Sequence, residues 1–211
     1  MDKTSQSRIL TETGILSAEI LKTLHGARSP ATSKTEAVSI ALHEIEQLGF
    51  NRFTESLRKT FPVGEGFVSV LHRLGVIYHA RNDSEKAEFL LQYALAAAES
   101  LKQEDEELAL ILNNLGRVLF DERDFKHAEA LYIQSLECLR KLFGSTHPKT
   151  TTPLNNLAAL YFDQGQAERA YRLYSESVAI LEHCQGKENA KLPKVRQKQA
   201  LARLRMGEST M

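Results

Sequence analysis

The sequence predicts an all-α chain built from tandem antiparallel helix pairs. Three observations carry that reading. Apolar residues recur at helical spacing, small residues recur at a step of 41 to 42, and turn-prone segments separate the helices. Hydrophobic residues are 42% and charged residues 26% of the 211, the balance of a globular chain able to bury a core.

The repeat emerges by superposition. Leu71-His-Arg-Leu-Gly-Val-Ile-Tyr78 aligns with Leu112-Asn-Asn-Leu-Gly-Arg-Val-Leu119 and with Leu154-Asn-Asn-Leu-Ala-Ala-Leu-Tyr161. Small residues then fall at Gly75, Gly116 and Ala158, and again at Ala87, Ala128 and Ala170. Bulky residues follow at Leu91, Tyr132 and Tyr174, and short ones at Ala94, Ser135 and Ser177. Within a unit, Leu112, Leu115, Gly116 and Leu119 share one helical face, and Ala128, Leu131, Tyr132 and Ser135 share another. Turns are expected at Ala80-Arg81-Asn82-Asp83, Glu122-Arg123-Asp124 and Asp163-Gln164-Gly165-Gln166. Small residues in the columns let paired helices approach closely, so a larger one at Gly116 or Ala128 is expected to overpack.

These columns resemble the tetratricopeptide repeat (TPR). The period near 42, the Leu-Asn-Asn-Leu-Ala run at 154–158 and the linker Leu142-Phe-Gly-Ser-Thr-His-Pro148 are similar to the extended repeat of kinesin light chains and their bacterial relatives. The resemblance implies a right-handed α-solenoid with three repeats in 67–184, at 67–100, 109–142 and 151–184. Residues 1–62 are read as N-terminal helices forming a degenerate repeat or cap. Their apolar spacing suggests helices over 7–25 and 34–48 and a shorter one near 52–61. A C-terminal capping helix is expected over 190–207, with Leu192, Val195, Gln199, Leu201 and Leu204 on it. Lys191, Lys194, Arg196, Lys198, Arg203 and Arg205 are expected to keep its outer face wet.

The resemblance also implies a non-catalytic adaptor or scaffold that binds a peptide or helix of a partner protein in a concave groove. The inward-facing places become Ser69, His72, Arg73, Val76, His79 and Ala80 in the first repeat. They are Leu110, Asn113, Asn114, Arg117, Phe120 and Asp121 in the second, and Thr152, Asn155, Asn156, Ala159, Phe162 and Asp163 in the third. A carboxamide can both donate to and accept from a peptide bond, and asparagine is a mediocre helix former. The two Asn pairs therefore either reach a bound chain, with Asn114 and Asn156 as candidates, or bond to a neighbouring helix. Phe120 and Phe162 supply apolar contact or core, and Arg117 suits an acidic group. Co-chaperones related by this repeat grip a Glu-Glu-Val-Asp tail with Lys, Asn and Arg. Asn114 matches that clamp, but Thr152 and Asn156 replace its basic pair, so such a tail is disfavoured.

Other chemistry finds little support. Lys plus Arg equals Asp plus Glu at 27 each, so the overall charge argues for neither nucleic acid nor membrane surface. No apolar run suits membrane insertion, and the polar start lacks a secretory layout. Cys138 and Cys184 are too few and too far apart for a disulfide framework, pointing to a reducing, cytoplasmic setting. His72 and His79 stand seven apart without a third metal ligand, and His183-Cys184 point in different directions. His147-Pro148 reads as a helix start, with Pro153 close enough to delay or kink that helix. The acidic run Glu104-Asp105-Glu106-Glu107 reads as complementing a helix dipole. No phosphate loop or nucleophile elbow is found, so no catalytic residue, metal or cofactor is expected. The alternatives to an adaptor are a self-assembling homo-oligomer or machine subunit, and a peptide- or signal-sensing domain.

Overall fold

The computed structural model describes residues 65–184 and 189–208, together with 38, 39, 41–43, 49 and 50. Seven long helices follow in order among the described residues. They are α1 (Glu65–Ala80), α2 (Ser84–Ser100), α3 (Glu106–Asp121), α4 (Phe125–Phe143), α5 (Thr151–Asp163), α6 (Ala167–Glu182) and α7 (Leu192–Glu208). Short 3-10 turns, Pro148–Thr150 and Asn189–Lys191, lead into α5 and α7. No strand occurs among the described residues, and the all-α expectation is met. The expected helices over 7–25 and 52–61 lie outside the described residues. Of 34–48, residues 38, 39 and 41–43 are helical, and Val38 and Ala41 are buried.

The chain divides into two compact units, Met1–Lys102 and Gln103–Met211. In the first, α1 packs against α2. An aromatic cluster supports that pairing: Phe50 meets Tyr78 and Phe89 edge-on at 5.8 and 5.7 Å, and Phe67 meets Tyr93 at 6.0 Å. In the second unit α3 pairs with α4 and α5 with α6, α4 also touches α5, and α7 lies on α6.

One device makes all three hairpin turns. The first helix of each pair ends at a left-handed residue, Asn82 (φ 60°), Arg123 (φ 67°) or Gly165 (φ 77°). The next residue donates its N–H back across the end: Asp83 to the Tyr78 carbonyl at 3.0 Å, Asp124 to Leu119 at 2.9 Å, Gln166 to Tyr161 at 2.8 Å. This is the Schellman pattern, and it satisfies carbonyls that the helix end would otherwise orphan. The same residue then starts the second helix. The Asp83 and Asp124 carboxylates accept from the N–H groups of Lys86 and His127, whereas Gln166 makes no side-chain cap.

The small-residue columns are where paired helices meet. A Cβ built on Gly116 would lie 2.8 Å from the Tyr132 ring, and one on Gly75 would lie 2.6 Å from Leu91 Cγ. The bulky column therefore fills the space the small column leaves. Ala128 and Ala170 are fully buried on the facing helices, as are Leu154, Leu160 and Leu181 in the third pair. Burying each such leucine contributes about 1.5–3 kcal/mol.

The linker between α4 and α5 is also built. Gly144 (φ 92°) ends α4, and the Phe143 ring stacks on His147 at 4.8 Å. His147 Nδ1 accepts the Lys149 N–H at 3.2 Å and so starts the 3-10 turn. Because α5 begins at Thr151, Pro153 falls in its first turn, where an N–H would have no helical acceptor.

Candidate functional site

The candidate face belongs to α3 and α5 of the Gln103–Met211 unit. Four side-chain contacts set these two hairpins in register. Asn156 Nδ2 donates to Asn113 Oδ1 at 2.8 Å, and Tyr161 Oη donates to Glu129 at 2.5 Å. Arg140 pairs with Glu176, and Lys149 with Glu106, each at 2.5 Å. Burial and the Glu129 bond both favour the protonated phenol, pushing the Tyr161 pKa up to about 12. That side chain is a structural donor.

Near the first turns of α3 and α5 lies a cleft of roughly 410 Å³, counted with its open mouth. Ala109, Leu110, Leu139 and Pro153 give it apolar walls, and Asn113, Ser135, Thr152, Glu106, Lys149 and Lys191 bring polar groups to it. The α3 N-terminus beside it is satisfied locally, because Asp105 caps the Leu108 N–H at 3.1 Å. The acidic run thus complements the helix start as its position implies.

The predicted residues fall into three groups. Arg73, Arg117 and Thr152 are exposed, with Leu110 at 40%. Arg117 makes no ion pair among the described residues. His79, Asn114, Asn155 and Asn156 are partly exposed, as are Phe120 and Phe162.

The third group requires correction. Ser69, His72 and Asn113 are buried in the free chain and do not present open contact surface. For Ser69 and His72 the reason is that residues 67–72 are buried without a break, so α1 is covered all round there. Asn113 lies in the α3–α5 packing, and its carbonyl accepts from Asn156 on the neighbouring helix. Asn156 is left with one amide hydrogen and its carbonyl for anything else. Phe162 is partly taken as well, since the Arg205 guanidinium sits 4.1 Å over its ring and donates to its carbonyl at 3.0 Å. Phe120 leans on Phe125 at 5.7 Å.

The sequence reading missed Lys149 and Lys191 as cleft residues. They stand 42 apart, each within one of the two 3-10 turns, so the repeat step itself could have flagged them. Cys138 and Cys184 are free thiols, and no described helix is long and apolar enough to cross a membrane.

Comparison with known proteins agrees with this architecture. The tetratricopeptide repeat family model matches residues 107–183. No curated protein matches the chain. Among solved structures, BtubC (BKLC) from P. vanneervenii is similar with a TM-score of 0.69 at 20% identity, over 92% of this chain and 84% of that one. A putative kinesin light chain of nearly identical TPR-like repeats from Podosopora anserina is similar with a TM-score of 0.62 at 19% identity, over 99% of this chain and 90% of that one. A second crystal structure of that putative light chain, of a variant form, gives a TM-score of 0.63 at 19% identity over the same shares. Residues 107–183 thus match the tetratricopeptide repeat, and the chain has the fold of these solved structures.

Proposed function

We propose that the Gln103–Met211 unit is a protein-interaction module that holds a short segment of a partner along the exposed face of α3 and α5. Tetratricopeptide repeats generally mediate protein–protein interaction and are generally non-catalytic, which supports the reading. The observation that carries it is the cleft at the first turns of these helices. It combines apolar walls at Leu110 and Pro153 with the exposed Thr152 hydroxyl, a mixture suited to one side chain plus a peptide bond. Arg117, exposed further along α3, offers a cationic partner to an acidic residue of such a segment.

Ordering a mobile segment costs about 2–5 kcal/mol, so exchangeable binding is expected. Selection of a displayed peptide library on the immobilised chain tests the proposal. Selected peptides should shift the amide resonances of Leu110 and Thr152, and Leu110→Glu should weaken them roughly tenfold or more. Selected peptides whose affinity ignores both Leu110→Glu and Thr152→Lys would remove the α3–α5 face as the site.

A further inference from the structure

α7 has the exposed Lys194, Arg196, Arg203 and Arg205 expected of it, but its outer face is not polar throughout. α7 packs on α6 through Val195 and Ala202, both buried, with Lys198 and Gln199 half-buried beside them. Gln199 Nε2 donates to Ser175 Oγ at 2.9 Å, and Arg196 pairs with Glu182 at 2.7 Å. At 3.6 residues per turn the opposite side of α7 carries Gln197, Ala200, Leu201 and Leu204. Leu201 is 49% and Leu204 66% exposed, more than any other large hydrophobic residue among those described. Apolar residues on both sides mark a helix that packs on both sides. Lys194 and Arg203 edge this face and make no ion pair among the described residues, while Glu208 is the helix's single acid.

We propose that the outer face of α7 docks an amphipathic helix of another protein, one with leucine-type side chains along its seam and acidic residues at both edges. Charge selects this occupant. A second copy offering the same face would set Lys194 and Arg203 against like charges, which association disfavours. An acidic-edged helix pairs with both. The face has leucines but no aromatic residue and is narrow, giving a lipid surface little to bury. Ala200, beside the leucines, lets a helical backbone come close, and anchors at i, i+3 and i+4 suit helix-on-helix recognition.

The full chain should be titrated with two labelled, designed helical peptides that share one leucine seam. One carries Glu at every edge position and the other carries Lys. The Glu peptide is expected to bind and the Lys peptide to fail, with affinity falling as salt rises. Leu204→Glu should weaken the Glu peptide roughly tenfold or more. Lys194→Glu with Arg203→Glu should reverse the preference, and Leu110→Glu on the α3–α5 face should change nothing. Leu204 is exposed, so unaltered thermal melting of its variant separates lost binding from lost folding. The proposal is overturned if neither peptide binds, if both bind alike, or if Leu204→Glu leaves the Glu peptide unaffected. It is also overturned by a concentration-dependent dimer that Leu204→Glu abolishes, which makes the occupant a second copy. Sedimentation with phosphatidylserine vesicles, when neither peptide binds, makes it a lipid surface and likewise overturns it.

Discussion

The hairpins α3–α4 and α5–α6 are two versions of one unit, and their differences are chemical rather than architectural. The second repeat sets Gly116 beneath the Tyr132 ring, whereas the third carries Ala158 in the same column with Tyr174 as the bulky partner. Ser135 Oγ, fully buried, donates to the Ala109 carbonyl at 2.7 Å. Its counterpart Ser177 is equally buried, yet its hydroxyl has no partner among the described residues. At the turns the roles reverse. The second repeat has a good helix cap, Asp124, after a strained left-handed Arg123, and the third has a relaxed Gly165 before Gln166, which does not cap. Each hairpin is therefore optimised at a different place. The columns and the left-handed turn are common to both.

Substitutions that swap these features measure the comparison, and the closest contact should give the largest effect. Gly116→Ala must push its Cβ into Tyr132, costing about 1–3 kcal/mol by equilibrium denaturation, whereas Ala158→Ser should cost less. A smaller loss for Gly116→Ala would show that α3 and α4 can separate freely.

The buried serines should respond with opposite signs. Ser135→Ala gives up a buried hydrogen bond, about 1 kcal/mol. Ser177→Ala removes a buried hydroxyl without a partner and should be neutral or raise stability by up to about 1 kcal/mol. Equal losses at both sites would mean that Ser177 has an acceptor.

At the turns, Gln166→Asp is expected to supply the missing cap and stabilise by about 0.5–1 kcal/mol in thermal melts. Arg123→Gly should gain a comparable amount from its φ, less the contact of its guanidinium 5.7 Å from the Phe125 ring.

The smallest effect concerns pH. The His127 side chain, 2.6 Å from Asp124, holds that carboxyl below its ordinary 3.8, helped by the His127 N–H. A folded-state pKa below the unfolded one stabilises above about 3.8 and is lost as pH falls through the folded value. Asp124→Asn keeps an N-cap but cannot titrate, so the acid limb of its stability curve should be shallower than in the parent chain.

Legibility in the sequence followed the physics of each feature. The columns at Gly116, Ala128 and Tyr132 were readable because close helix packing constrains residue size at fixed steps, whatever the surroundings. The left-handed turn position was not, because Asn82, Arg123 and Gly165 share a backbone conformation but no side-chain chemistry. The Asn pairs were visible as unusual, but the Asn113–Asn156 bond depends on how one hairpin sits on the next. Exposure on α7 depends on packing in a related way. Val195 and Ala202 take the side facing α6, which leaves Leu201 and Leu204 outside.

The proposed face exists only if α3 and α5 lie side by side in register, since that places Leu110 and Thr152 on one cleft. A double-mutant cycle on Asn113→Ala and Asn156→Ala measures this most directly, through a bond that crosses from one repeat to the next. In-register stacking predicts a coupling energy of about 0.5–1.5 kcal/mol. Strictly additive losses, with no coupling, would contradict the shared face.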